Sequence, residues 1–191
     1  MNLAVAMADL PNAVSSVLND KILIFLNRAH KTYLDPLPID DVSACFYKAL
    51  RHLNVEFDAK TLEAAALATG GYPYLLQLVG YHMLKFIDSG NVLTADIVDL
   101  AVSNAKRALI SDVFAPCLNP LSAEDRRFLK AMANDTGESR VSDIRDRLGA
   151  GKSHVQTYRR RLMDAGAIHS PSRGTLQFSV PYLGQYLRGE I

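Results

Sequence analysis

Residues 149–153 read Gly-Ala-Gly-Lys-Ser, which are residue types found in loops that bind phosphate. Such a loop requires Gly-x4-Gly-Lys-Ser/Thr between a strand and a helix, because its backbone amides surround the phosphates. The first glycine would stand at position 146, which is Asp146, and the preceding segment has helical periodicity. No acidic strand end follows that could hold magnesium. We interpret the segment as a turn between helices, and we expect this chain alone not to hydrolyse ATP.

The histidines and cysteines indicate no catalytic or metal site. The five histidines are scattered, and neither Cys45 nor Cys117 has the spacing of a metal ligand. Cys45 falls on the apolar face of a predicted helix, where we expect a small buried side chain. We therefore expect no catalytic residue and no metal ligand in this chain.

The helix after residue 151 has a polar outer face suited to nucleic-acid contact. With Val155, Tyr158 and Leu162 inward, a step of 100° per residue turns a set of polar side chains outward. Arginine, lysine and glutamine can read base edges or hold phosphate. The candidates are Lys152, Ser153, His154, Gln156, Thr157, Arg160, Arg161 and, in a following turn, Arg173. Asp164 on the same face argues against DNA, so contact with a protein or with another part of the chain stays open.

The elements around this helix predict a winged helix-turn-helix. A capping-box pattern at Ser122–Asp125 begins a first helix, and Val141–Leu148 forms a second helix that ends at Gly149. Ser153 is the expected N-cap of the third helix. Strands are expected over 167–169 and 175–180, joined by a turn, which completes a small β-hairpin wing.

The preceding segment predicts a four-helix bundle, so the fold class is mainly α. Apolar residues recur with helical period in the first of these helices, for which Asp40 is the expected N-cap. Asp58 caps the second helix, Pro73 begins the third, and the fourth follows Thr94. The residues expected to face inward are Val42, Cys45, Phe46, Ala49, Leu50, Leu53, Leu75, Leu76, Leu78, Val79, Met83, Phe86, Ile97, Leu100, Ala101, Ala105, Ala108 and Leu109.

Domain boundaries follow from proline positions and from the first residues. Asn2–Ala8 is short and apolar, which indicates a buried strand whose partner strands are expected upstream; a short helix or a disordered end is the alternative. We expect three parts: 1–36, the end of a missing core and a linker; 37–118, a helical domain; and 119–191, the winged helix. Pro116 and Pro120 mark the second boundary.

Charge and hydropathy exclude few functions. Residues 1–120 contain 9 Lys and Arg against 12 Asp and Glu, whereas residues 121–191 contain 12 against 8. The C-terminal part is therefore mildly basic although the chain as a whole carries a formal charge of +1. No apolar run is long enough to span a membrane, and no signal peptide is recognisable, so we expect no membrane partner and a cytoplasmic location.

Between the second and third bundle helices the sequence reads Gly70-Gly71-Tyr72-Pro73-Tyr74. Taken alone, this is a sequence that ends one helix and begins the next. In context it resembles the Gly-x-Pro motif that begins a lid helix in signal-transducing ATPases of the AAA+ and STAND group, which also carry a winged helix after the lid. Residues 25–30 and 34–37 resemble the link from the last core strand of such ATPases into the lid.

The resemblance implies a nucleotide site that is completed elsewhere. Gly71 and Pro73 would face adenine with Tyr72 or Tyr74 nearby, and Arg28 would lie near the nucleotide or a neighbouring subunit unless it is a solvated surface charge. Some relatives have a phosphate-sensing arginine directly after the turn; this chain has Tyr74 there, so none is expected. ATP or ADP and magnesium would be bound only in the full-length protein, by a P-loop core that is missing from this chain.

Two functions remain open from the sequence. In the first, the chain is the C-terminal part of an ATPase, and a nucleotide-sensing lid is coupled to a winged helix that contacts DNA or a protein partner. Such a lid must bind differently in the two nucleotide states. In the alternative, the chain is a self-contained winged-helix transcription regulator with an N-terminal helical domain for ligand sensing or dimerisation.

Overall fold

The computed structural model describes residues 35–88 and 90–191. The described residues form two compact units: a helical unit that ends at Pro116, and a C-terminal unit, Cys117–Glu190. The predicted strand at Asn2–Ala8, the predicted link over 25–30 and Arg28 lie outside the described residues.

The helical unit contains four main helices. They are α1 (Ile39–His52), α2 (Ala59–Ala68), α3 (Pro73–Phe86) and α4 (Ala95–Leu109). A π-helix (Ile110–Phe114) and a short α5 (Ala115–Leu118) follow α4 directly. The expectation of a mainly helical fold, with a bundle first, is confirmed.

Local chemistry accounts for most helix ends. The Asp58 carboxylate accepts a hydrogen bond from the Thr61 amide at 2.9 Å, and the Thr94 hydroxyl accepts one from the Ile97 amide. Helix α1 differs from the expectation, because its N-cap is Pro38 and Asp40 lies in the first turn. There Asp40 and Asp41 still interact favourably with the positive end of the helix dipole.

The bundle core is a narrower stripe than the sequence pattern indicates. In α1 the buried side chains are Val42, Phe46 and Leu50, which are spaced four residues apart. Cys45 is exposed, and Leu53 and Leu100 are nearly half exposed. Ala49 is exposed as well. The expectation that these four side chains face inward is therefore wrong, because they lie on the flanks of the buried stripe. Core positions on α3 and α4 are Leu75, Val79, Met83, Val98, Ala101, Ala105 and Leu109.

The π-helix was not predicted by any sequence pattern. It lies within the last helical stretch of the unit, and its Val113 and Phe114 side chains are buried. Single π-helical turns within α-helices are rare and frequently occur at functional positions. This one stands immediately before the boundary between the two units.

The C-terminal unit has the element order of a winged helix-turn-helix. It contains α6 (Ala123–Met132), β1 (Ser139–Arg140), α7 (Val141–Leu148), α8 (Lys152–Asp164), β2 (Ile168–His169), β3 (Thr175–Phe178) and α9 (Leu183–Arg188). The three strands form an antiparallel sheet in the order β1-β3-β2. Its core includes Phe128, Leu129, Met132, Ile144, Val155, Leu162, Ile168 and Leu176.

Strand β1 corrects the prediction of a two-stranded wing. Ser139 pairs with Leu176, and Arg140 pairs with Thr175. The Ser139 side chain is buried and donates a hydrogen bond to the Met132 carbonyl at 3.1 Å. A strand of two residues has no alternating pattern, so only its partner strand identifies it.

The helix termini of this unit follow most sequence signals. Ser122 and Asp125 form the predicted capping box, and Gly149 ends α7 in the left-handed conformation with φ of 60°. Helix α8 differs, because its N-cap is Gly151 and Ser153 lies in the first turn.

Among the described residues, every helix is too short or too polar to cross a bilayer.

Candidate functional site

The corner between α2 and α3, residues 69–74, is held by a contact with the chain that precedes α1. The Leu37 amide donates a hydrogen bond to the Gly71 carbonyl at 2.8 Å. Gly71 has φ of +72°, and a Cβ atom placed on it would lie 2.2 Å from the Leu37 carbonyl oxygen. A glycine is therefore required at this position by backbone conformation and by close approach within the chain itself.

Buried hydrogen bonds fix the corner from the inside. The Thr69 hydroxyl, which is fully buried, donates to the Ala66 carbonyl at 2.7 Å and accepts from the Gly71 amide at 3.1 Å. Pro73 then occupies the first turn of α3, where its missing amide leaves no donor unsatisfied. The corner is thus preorganised without any bound ligand.

The accessible residues of the corner include Tyr72 and Pro73, together with Gly70 and part of Tyr74. Pro73 is exposed and Tyr72 is partly exposed, whereas Gly71 is buried beneath Leu37. The structure therefore brings three of the four residues assigned to nucleotide together, while Arg28 lies outside the described residues. The contact of Gly71, Tyr72 and Pro73 with adenine stays a prediction.

Tyr74 makes a link that sequence reasoning missed. Its hydroxyl donates a hydrogen bond to the Asp112 carboxylate at 2.6 Å, and the other Asp112 oxygen accepts from the Ser111 hydroxyl at 2.6 Å. The bond to Asp112 and partial burial raise the pKa of Tyr74 to about 12. The hydroxyls of Ser111 and Tyr74 lower the pKa of Asp112. The last residue of the corner is thereby tied to the π-helix.

The predicted nucleic-acid residues are all exposed on α8 and on the β2–β3 turn. Lys152, Gln156, Val155 and α7 residues line a groove of about 330 Å³ at the start of the two helices. Sequence periodicity placed this face correctly because Val155 and Leu162 are buried on the opposite side.

Four of these side chains already have partners within the unit, and one of them is Gln156, whose Oε1 accepts a hydrogen bond from Arg159 at 3.3 Å. Arg161 donates to the Asp125 carboxylate at 2.8 Å and lies over the Tyr158 ring, while only 1% of the Asp125 side chain is exposed. His154 stacks near the same ring and approaches Glu124 at 3.6 Å. The Thr157 hydroxyl donates to the Ser153 carbonyl. Arg161 therefore anchors α8 to α6.

Three other cationic side chains of this surface are not bound to another side chain of the unit. Within residues 90–191, Lys152, Arg160 and Arg173 make no side-chain hydrogen bond or ion pair. An unpaired guanidinium or ammonium group can bind a phosphate without first breaking an internal bond. These three are the predicted residues that remain available for a partner.

Replacing Gly71 by alanine tests the corner contact. We expect Gly71→Ala to destabilise the helical unit by more than about 1 kcal/mol, because φ is positive and the Leu37 backbone blocks the new methyl group. The matched control is Gly149→Ala, which also has positive φ but no atom within 4 Å of its Cβ position. Native-state amide hydrogen exchange measures each unit separately. An equal loss of unfolding free energy in the two variants would show that the Leu37 backbone does not block a side chain at position 71.

The Tyr74–Asp112 bond predicts an alkaline titration. We expect the Tyr74 phenol to ionise with a pKa of about 12 instead of 10. In Asp112→Asn this pKa should fall towards 10. Because the folded pKa is raised, the stabilisation is complete below pH 10 and is lost as the pH rises from 10 through about 12. Ultraviolet difference titration against Tyr74→Phe isolates this phenol. An unchanged midpoint in Asp112→Asn would show that the bond does not form.

Comparison with known proteins gives a fold match to a Walker-type ATPase. The structure of the Walker-type ATPase PABY2304 of Pyrococcus abyssi superposes with a TM-score of 0.60 at 20% identity, and the match covers 80% of this chain and 42% of that one. The chain therefore spans less than half the length of that ATPase. RuvB of Thermotoga maritima, the Holliday junction branch migration motor, matches at 20% identity over 81% of this chain and 50% of its own, with a TM-score of only 0.36.

The sequence comparisons add one family. A domain of unknown function (DUF8462) matches residues 111–187, from the π-helix into α9. A search of the curated proteins found no match. At this level of identity the structural likeness concerns the fold, and the fold of this chain is similar to that of part of a Walker-type ATPase.

Proposed function

We propose that this chain is the lid and winged-helix region of an ATPase of the AAA+ and STAND type. The observation that supports the proposal is the fold match to a Walker-type ATPase, which covers 80% of this chain but only 42% of the ATPase. The remainder of such a protein would supply the P-loop core, with ATP or ADP and magnesium bound there. The location would be cytoplasmic, in keeping with the two free cysteines.

The corner has the chemistry of an adenine contact. Pro73 and Tyr72 offer apolar surface at a turn whose backbone is already fixed by Thr69 and Leu37. Proline adds no amide that would need a partner beneath a flat base. A preorganised surface loses little conformational entropy on binding. The corner would cover a nucleotide that the core holds. By itself the corner would not form a complete nucleotide-binding site.

The Tyr74–Asp112 bond offers a path from the corner to the end of the unit. A displacement of the start of α3 on nucleotide exchange would change this bond, and Asp112 lies in the π-helix immediately before the C-terminal unit. A nucleotide can shift the lid only if its binding free energy differs between two arrangements. The π-helix is the element that we propose to respond.

The C-terminal unit is proposed to contact DNA through α8. Lys152, Arg160 and Arg173 have no side-chain partner in the described part of the chain, so their positive charges are uncompensated. Gln156 is exposed on α8 as well. Such a surface suits a phosphate backbone with an adjacent base edge. Binding to an acidic protein instead is the competing outcome of the test below.

Nucleotide binding by the full-length gene product tests the ATPase assignment. We expect an upstream segment of about 150–250 residues, the size of a further domain, with a Gly-x4-Gly-Lys-Ser/Thr loop. Tyr72→Ala and Pro73→Ala should each weaken binding of fluorescent ADP about five- to thirtyfold, equivalent to roughly 1–2 kcal/mol. Tyr81→Ala, an exposed tyrosine on the same helix, is the control. A gene without such a segment favours the transcription regulator instead.

DNA binding is tested by comparing neighbouring arginines. Arg160→Ala should weaken duplex binding by about 1–3 kcal/mol without loss of stability, since Arg160 has no internal partner. Arg161→Ala should instead lower the free energy of unfolding by about 1–3 kcal/mol, because it leaves buried Asp125 without its cation. Fluorescence anisotropy and urea denaturation measure the two effects. Equal DNA binding by the wild type and Arg160→Ala at every salt concentration would refute the assignment.

A further inference from the structure

The arginines of the C-terminal unit divide into two groups. Seven of the ten between residues 117 and 190 donate side-chain hydrogen bonds within the unit; for example, Arg147 binds Asp135, and Arg188 binds the Ala133 carbonyl. The other three are Arg140, Arg160 and Arg173. Among the described lysines of the unit, Lys130 and Lys152 likewise have no side-chain partner.

Internal pairing decides which cations are available to an external anion. A guanidinium that binds a carboxylate has its charge partly compensated and fewer free donors for a phosphate, whereas an unpaired one exchanges only water. Two of the three unpaired arginines belong to the set predicted from sequence. The third, Arg140, was not predicted, because it stood in no periodic pattern.

The sheet places Arg140 next to the wing turn. Arg140 is the last residue of β1 and pairs with Thr175 of β3, and the following Val141 amide donates to the Gly174 carbonyl at 3.0 Å. Directly opposite residues in an antiparallel pair have Cα atoms about 4.5–5.5 Å apart. Arg173 precedes Gly174 in the turn. Two unpaired arginines thus flank one edge of the wing.

We propose that Arg140 and Arg173 together bind the phosphate backbone of duplex DNA, with Arg140 as a second cation of the wing. This inference rests on the proposed DNA contact of the C-terminal unit and adds a position outside α8. Arg140 is also the residue before α7, whose Ser142 and Arg145 line the groove shared with Lys152 and Gln156. The wing edge and that groove are therefore joined through consecutive residues of one segment.

One acidic residue lies near this edge. Glu138 is exposed, two residues before Arg140, and has no side-chain partner in the described part of the chain. Its carboxylate would repel a phosphate bound by Arg140. Glu138→Gln should therefore strengthen duplex binding, in the direction opposite to loss of Arg140.

The experiment measures the salt dependence of duplex binding by the 191-residue chain, using fluorescence anisotropy between about 50 and 200 mM salt. Each phosphate contact contributes about 0.9 to the slope of log K against log salt, so Arg140→Ala should lower the slope by about 0.9 and weaken binding about eightfold at 0.1 M salt. Arg173→Ala should act similarly. Arg140→Lys should retain most of the slope, because the charge is kept.

Lys130→Ala is the matched control, since Lys130 on α6 is also exposed and unpaired. Thermal denaturation should be unchanged in both variants. If Arg140→Ala has the slope of Lys130→Ala while Arg160→Ala still weakens binding, the role of Arg140 is wrong and DNA binding by α8 stands. If the wild-type chain binds no duplex at any salt concentration, the proposed DNA contact fails, and the role of Arg140 fails with it.

Discussion

The conformation of the corner between α2 and α3 depends on one backbone contact, the hydrogen bond from the Leu37 amide to the Gly71 carbonyl. It brings the segment before α1 against the corner between α2 and α3, at a distance that excludes a Cβ atom on Gly71. Because Thr69 binds the same corner from the buried side, the turn has little freedom. Pro73 and Tyr72 form part of its accessible surface. A fixed corner with a small apolar surface suits a lid that closes over a ligand held elsewhere.

A second contact connects this corner to the end of the unit. The Tyr74 hydroxyl reaches Asp112 in the π-helix, where Ser111 binds the other carboxylate oxygen. The π-helix keeps Val113 and Phe114 in the core while its polar side is exposed. Such an element can change its hydrogen bonding without unfolding, since a π turn and an α turn differ by one residue in register. This gives the proposed nucleotide response a physical location.

In the C-terminal unit, some arginines are bound to groups of the unit itself, and others are available to bind an external anion. Asp125 is almost fully buried, caps α6 together with Ser122 and holds Arg161 of α8. The neighbouring Arg160 has no internal partner, although the two residues look equivalent in sequence. Arg140 and Arg173 are unpaired at the edge of the sheet. The proposed interface thus consists of cations that the fold itself does not use.

The sequence by itself determined the main helices and most of their caps, because caps and periodicity are local: Asp58, Thr94, the Ser122–Asp125 box and Gly149 act within one turn. It also predicted the exposed face of α8, since burial of Val155 and Leu162 fixes the opposite side. Only the tertiary structure decided the rest. Strand β1, the partner of Tyr74, the exposure of Cys45 and the pairing of Arg161 depend on residues far apart in the chain. No local pattern records such contacts, because they form only after the elements pack.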